Sequence, residues 1–305
     1  MSTAITEKIK SVEDKSQFLS SEILSRLSRF GKIHLFNTVT STQEIARRIA
    51  KSKNLNYIQN DGPAIQAIVI ANQQTLGQGR FGRHWYSSEQ GLHFSVLIDY
   101  PQNDKSITLW TLLSAKIVAE VLEETSSIPI YIKWPNDLVC DRTNTNRYRK
   151  IGGILCETKY TNSLLHSEPK YLIIGIGLNI NQTSFPPEIP DATSLKQELT
   201  TIKNIKQDVN CGEILYKIID KLSVTLAFYQ NSLITKTVDD FRKDLLIDIK
   251  KRSIIIGKKI KVMRRLQAVS GTVLDIDEYG RLVLRTDSSR IVVFDSGRVV
   301  KIKDL

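Results

Sequence analysis

The sequence predicts an α+β protein: a mixed β-sheet with helices on one side, followed by a small β-barrel. Three observations lead there. Apolar, β-branched runs at Ala64–Ala71, Leu92–Ile98, Ile151–Thr158 and Tyr171–Ile180 have the length and composition of buried strands. Segments with helical length and period, Ser106–Glu124, Cys211–Tyr229 and Val238–Ile249, stand among and after them. From Gly257 the texture changes to short strands broken by turn residues such as Glu278-Tyr279-Gly280, the pattern of a small all-β module.

Taken in order, residues 1–30 are a polar, charged extension with one amphipathic helix expected over Phe18–Phe30. Ile33–Phe36 is a strand. Ser41 is placed to cap a helix with Glu44 as its capping-box partner, and Ile45, Ala46, Ile49 and Ala50 repeat at helical spacing. Ile130–Trp134 and Leu138–Cys140 are strands on either side of a Pro-Asn-Asp turn. Gly175 and Gly177 inside a strand signal a close approach to the backbone. The last strands are Lys258–Met263, Val269–Ile276, Arg281–Arg285 and Ile291–Phe294. The expected division is an extension over 1–30, a main domain over 31–250 and a β-module over 251–305.

Bulk properties narrow the classes. The 305-residue chain is 41% hydrophobic and 25% charged, ordinary for a globular protein, with a formal net charge of +11. That excess suits nucleic acid, an anionic substrate or an acidic partner, and does not choose among them. Cys140, Cys156 and Cys211 form no CxxC pair, which argues against a disulfide framework or a structural zinc site. The first residues carry charges where a signal peptide has an apolar run, and no stretch reaches the roughly 18 apolar residues of a membrane span. The reading is a cytoplasmic protein without membrane contact.

Four segments carry chemistry. Gly77-Gln78-Gly79-Arg80-Phe81-Gly82-Arg83-His84-Trp85 joins glycines that let backbone fold around a ligand to arginine forks that suit phosphate or carboxylate. A basic surface loop fits the same pattern. Its spacing is not that of a Walker loop. Lys133-Trp134-Pro135-Asn136-Asp137 sets two hard oxygen ligands side by side, suited to Mg²⁺ or to a plain turn. Lys150-Ile151-Gly152-Gly153-Ile154-Leu155 places an ammonium at the mouth of a strand, and Gly175-Ile176-Gly177-Leu178-Asn179-Ile180-Asn181 is a glycine-bearing strand.

In this order the segments resemble the biotin–protein ligase family. The resemblance rests on the Ser-Thr helix start, Gln74 leading into the GxGRxGRxW loop, KWPND, the Lys-x-x-Gly-Ile-Leu strand and GIGLNIN, and continues into the C-terminal module. It implies the class II synthetase-like biotin/lipoate ligase fold with an SH3-like barrel. It implies adenylation of biotin by ATP with Mg²⁺, then transfer to a lysine of the biotin carboxyl carrier protein of acetyl-CoA carboxylase. Carried over by position, Ser41, Thr42, Gln43, Gln74, Gln78, Gly79, Arg80, Lys150 and Gly153 bind biotin. Arg80, Arg83, Trp85, Lys133, Asn136 and Asn179 bind ATP, Arg80 and Lys150 are catalytic, and Asn136 and Asp137 serve Mg²⁺. Trp85 flanks the adenine and Gly153 leaves room for ligand.

This chain departs from the family in having Gln78 and Phe81 where many members have Arg, and Gln43 where they have Asn. The connection Asp141–Arg149 is long and basic, so Arg149 competes with Lys150, and the Ile-Gly-Gly-Ile-Leu register favours Lys150. Lipoate–protein ligase is the alternative enzyme. Repressors of the family add an N-terminal winged helix of about 60 residues, and 1–30 is too short for one, so specific DNA binding is not expected. The residues beyond 250 are expected to serve carrier or ATP, not the biotin pocket; the assembly is a monomer or a homodimer.

Overall fold

The structure is a computed structural model that describes residues 19–52, 65–99, 107–141, 147–160, 169–264 and 267–303. Its main sheet has seven strands: β1 (Lys32–Val39), β2 (Ile65–Gln74), β3 (Gly91–Asp99), β4 (Tyr131–Lys133), β5 (Asp137–Asp141), β6 (Tyr148–Tyr160) and β7 (Pro169–Asn179). They lie in the order β1-β2-β3-β7-β6-β5-β4; β1 and β2 are parallel and every other neighbouring pair is antiparallel. The α+β class and the mixed sheet are as the sequence predicts.

The run around β2 is apolar at successive positions because both faces of the sheet are covered. Ile68 and Ile70 enter a large core with α3 (Ile107–Ser126), α5 (Cys211–Ile234) and α6 (Val238–Arg252). Ala67 and Val69 face the other way, onto Ala46, Ile49 and Ala50 of α2 (Thr42–Ser52). The long helices therefore share one side, as expected, and among the described residues α2 is the helix that packs on the reverse face. That position brings its N-terminus to the end of β2. Helix α1 (Ser21–Leu27) starts at Ser20, whose hydroxyl accepts from Ile23 N. It is shorter than the expected Phe18–Phe30, and Phe18 lies outside the described residues. Its Arg26 pairs with Glu213 of α5 at 2.7 Å.

Two elements were not foreseen. Helix α4 (Leu195–Lys203) is capped by Ser194, which accepts from Gln197 N. Strand β12 (Arg298–Lys303) completes a five-stranded antiparallel sheet with β8 (Lys259–Arg264), β9 (Gln267–Ile276), β10 (Leu282–Thr286) and β11 (Ile291–Phe294), in the order β11-β10-β9-β8-β12. This SH3-like module is tied to the larger part by specific bonds. Trp134 Nε1 donates to Gly280 O at 2.9 Å, Thr108 Oγ1 to Asp295 O at 2.7 Å, and Ile254 N to Ile132 O at 3.1 Å. Val262, Leu282, Leu284 and Phe294 belong to the same apolar cluster as Trp134 and Leu112.

Candidate ligand pocket

A pocket of about 420 Å³ opens on the α2 side of the sheet. Its floor is the start of α2. Ser41, Thr42 and Gln43 are buried there, and Gln74 Oε1 at the end of β2 accepts from Thr42 N at 2.9 Å and Thr42 Oγ1 at 3.2 Å. Gln74 thus satisfies a helix-start donor that would otherwise lack a partner. The expected Ser41–Glu44 capping box is not what forms, because Glu44 is taken by Arg47 and Arg48. Gln43 Oε1 accepts from Ser95 Oγ at 3.0 Å, while its Nε2 donates to Leu155 O and to Glu157 Oε2. Ser95 is a lining residue the motifs did not indicate; its signal is the alternation of β3, where Leu92, Phe94 and Val96 enter the core.

The strand glycines are explained by these neighbours. A Cβ at Gly175 would collide with Gln43 Oε1, and one at Gly177 would lie 2.6 Å from Trp85 Cε2. At Gly153 a Cβ would stand 3.5 Å from Lys150 Nζ and from Trp85 Cζ3. Gly177 therefore makes room for the Trp85 indole, whereas a side chain at Gly153 would meet Lys150 and Trp85 only at ordinary contact distance.

The Gly77–Trp85 loop forms the roof. Gln78 and His84 make its neck as an antiparallel bridge, with Gly79 N donating to Arg83 O at 2.8 Å and Trp85 N to Gly77 O at 2.8 Å. Its tip turns through positive φ at Phe81 (59°) and Gly82 (71°), which leaves Phe81 exposed. Arg80 points inward, 3.5 Å from Asn136 Oδ1. Burial lowers its pKa, opposed by the field of Asp137. The guanidinium stays charged, since an arginine starts far above neutrality.

Asn136 and Asp137 reach the opposite wall from the β4–β5 turn. Asn136 Nδ2 donates to Ile154 O at 2.9 Å, and Asp137 is ion-paired with Lys150. Lys133 does not line the pocket; burial lowers its pKa, with Asp137 opposing that and Lys150 and Arg298 adding to it. Lys150 is held by its backbone, which donates to Asp191 O at 2.7 Å and accepts from Thr193 N at 2.9 Å. Asn179 Nδ2 fastens the same segment through Thr193 O at 3.0 Å. Arg149 turns away, donating to Ala192 O at 2.6 Å and lying 4.0 Å from the buried Glu198. Residues 142–146 of the long connection lie outside the described residues.

Every expected site residue except Lys133 lines this one pocket. Sequence reasoning missed Ser95, the wall Glu188–Ala192 and Arg298 of β12. The wall carries no motif, and Arg298 sits far along the chain. Among the described residues no three His, Cys, Asp or Glu side chains gather to hold a metal. With Asp137 on Lys150 and Asn136 on Ile154 and Arg80, the residues present do not form a cage for a resident ion. They fit a Mg²⁺ that arrives on a nucleotide's phosphates and keeps most of its ligands from there. Burial pushes the Cys156 thiol up to about 12, so it supplies no thiolate at neutral pH.

Chemically, this is a polar floor of hydroxyls and amides facing a mouth lined by Arg80, Arg83, Lys150 and Arg298. Such a site takes a compact polar head and a crowded anionic tail, the needs of a carboxylate-activating ligase. Comparison with known proteins agrees. The profile of the biotin/lipoate A/B protein ligase family matches residues 38–179, and that of the biotin protein ligase C-terminal domain matches 255–301. The segments these profiles match belong to the biotin/lipoate A/B protein ligase family and to the C-terminal domain of biotin protein ligases. It is 34% identical over 165 residues to the bifunctional ligase/repressor BirA of Bacillus subtilis, covering 53% of this chain and 45% of that protein. The chain thus spans about half the length of that relative. It is 28% identical over 244 residues to the biotin–[acetyl-CoA-carboxylase] ligase of Mycobacterium tuberculosis, covering 77% and 79%. A solved biotin protein ligase from Aquifex aeolicus in complex with biotin and ATP superposes with a TM-score of 0.64 at 26% identity, covering 90% of this chain and 99% of that one.

Proposed function

We propose that this chain is an ATP-dependent biotin–protein ligase, which forms biotinyl-5'-AMP and then acylates one lysine of a biotin carboxyl carrier protein. The observation that carries the reading is one pocket joining the Ser41-Thr42-Gln74 floor to Arg80, Arg83 and Lys150. The floor offers both donors and acceptors, which suits the ureido ring. The biotin carboxylate is ionised at pH 7, so its attack on the α-phosphate needs no general base. What opposes reaction is the approach of two anions. Lys150 and Arg80 lower that repulsion and hold the groups in line, and Mg²⁺ entering with ATP neutralises further charge. The folded roof keeps water from the mixed anhydride. In this reading Arg83, Asn179 and Trp85 serve the nucleotide and the 255–303 module closes the nucleotide end through Arg298. The carrier of acetyl-CoA carboxylase is the acceptor, specific DNA is not a ligand, and the enzyme works in the cytoplasm as monomer or homodimer. No helix among the described residues is long and apolar enough to cross a membrane.

ATP–pyrophosphate exchange tests this directly. Exchange should depend on biotin and be absent or far weaker with lipoate; equal or better exchange with lipoate would overturn it.

A further inference from the structure

Gln78 lines the pocket, yet its Oε1 accepts a hydrogen bond from Arg47 Nη2, a residue that does not line it. Arg47 stands on the outer part of α2, one turn beyond the pocket floor. Its guanidinium hydrogen-bonds two groups, Glu44 and Gln78, and forms an ion pair with a third, Glu157. Nη1 pairs with Glu44 at 2.5 Å, Nε lies 3.1 Å from Glu157 Oε2 on β6, and Nη2 reaches the loop. The same Glu157 oxygen accepts from Gln43 Nε2 at 3.2 Å, and Gln43 is held in turn by Ser95. A continuous polar chain therefore runs from the neck of the roof, around the outside, to the floor.

The loop needs such support. Its three glycines do little to fix it, and among the described residues its other polar side-chain tie to the body is the 3.5 Å contact of Arg80 with Asn136. Arginine is the residue suited to the task, because a planar fork meets several acceptors that a point-like ammonium cannot meet together. There is a consequence for chemistry as well. With Oε1 turned towards Arg47, the Gln78 N–H₂ group is left to donate elsewhere, which suits an anionic oxygen. Gln78 stands where many members of the family carry an arginine, and here a cation from α2 orients the neutral amide instead.

We propose that Arg47 is the positioning residue of the Gly77–Trp85 loop, latching Gln78 to the pocket floor through Glu157 and Gln43. This deepens the ligase reading, and its first test is independent of that reading. Trypsin acts on the full chain without ligand, and cleavage after Arg80 and Arg83 is followed by mass spectrometry. Arg47→Ala should be cut there about tenfold faster than wild type, the scale of one lost charge-assisted bond. Cleavage elsewhere and the thermal midpoint should stay close to wild type. Gln78→Ala, a change on the exposed loop that leaves the fold intact, should give the same acceleration, and the double variant no more. Arg47→Lys, which keeps a charge for Glu157 without the fork, should recover only part of the protection. Unchanged cleavage in Gln78→Ala, or effects of the two substitutions that simply add, would overturn the latch. As a second readout, Arg47→Ala should release biotinyl-adenylate about tenfold faster while forming it at a rate less affected. Wild type that forms no adenylate would refute the ligase reading, and the proteolysis would still decide the latch.

Discussion

Arg149 and Lys150 adjoin in sequence, carry the same charge, and do different things. Strand alternation sends Lys150 into the pocket beside Asp137 and Arg149 out to Ala192 O and the buried Glu198. In the proposed mechanism Lys150→Ala removes the cation that lets two anions approach, so adenylate formation should fall by about 10²–10³ with folding unchanged. Transfer from preformed adenylate should suffer less. Arg149→Ala should leave chemistry nearly intact and cost about 1–3 kcal/mol of stability in urea unfolding, because a buried carboxylate loses a partner. The reverse pattern would mean that the long connection shifts the register. A second single-residue effect concerns His93, fully buried on β3, which desolvation holds at about 4. Below pH 6.5 the unfolded chain takes a proton that the folded chain refuses. Stability from this group is thus complete above 6.5 and is lost as pH falls towards 4. Between pH 6.5 and 5 the loss should reach about 2 kcal/mol. His93→Phe should flatten that stretch of the urea-derived curve, and an unchanged slope would show that His93 titrates normally.

At the scale of elements, the contact between α3 and the C-terminal module turns on one glycine. Gly280 adopts φ +75°, and a Cβ there would lie 2.9 Å from Leu109 N, against backbone that cannot move aside cheaply. Gly257 has φ +78° with open space around it. Gly280→Ala should therefore cost about 2–3 kcal/mol and Gly257→Ala about 1 kcal/mol, read from denaturant midpoints. Equal costs would mean that conformational strain alone matters and that the two parts do not press together at this point. The same elements explain what could be read beforehand. The long strands and helices were legible because burial forces apolar periodicity on them, as at Ile68 and Ile70 against Ala67 and Val69. Strand β12 was missed because it lies at a sheet edge, where Arg298 and Val300 are exposed on either side of the buried Val299. Helix α4 was missed although Ser194 caps it, since its sequence LKQELTTIK is short and mostly polar. The pocket's motif residues were found because they stand in short local patterns, GxGRxGRxW, KWPND and Lys-x-x-Gly-Ile-Leu. Ser95, Asp191 and Arg298 reach it only through strand pairing and the packing of the second sheet, which no local spacing records.

For the molecule as a whole, the question is whether the two sheets are separate bodies. One apolar cluster runs from Ile23 of α1 through Trp110 and Trp134 to Leu284 and Phe294. Trp134 is the joint between them, with its indole 1% exposed and its Nε1 bonded to Gly280 O. A chain cut after Arg252 would uncover Trp134 and the Leu109–Leu112 face of α3 and leave the indole donor without its acceptor. At about 25 cal/mol per Å² of apolar surface returned to water, losing several such side chains removes much of the 5–15 kcal/mol that holds a typical protein folded. The cut chain should therefore aggregate or melt far below the full one, and a stable, biotin-binding 19–252 fragment would refute this. In the intact protein, the expectation is one cooperative transition, with tryptophan fluorescence and far-ultraviolet circular dichroism coinciding. Biotin with ATP should raise both curves together, because a ligand bound at a pocket that spans Ser41 and Arg298 stabilises every element whose unfolding releases it. A ligand shift confined to one of two separable transitions would instead mean that the module beyond Ile254 folds alone and that Arg298 does not contribute to binding.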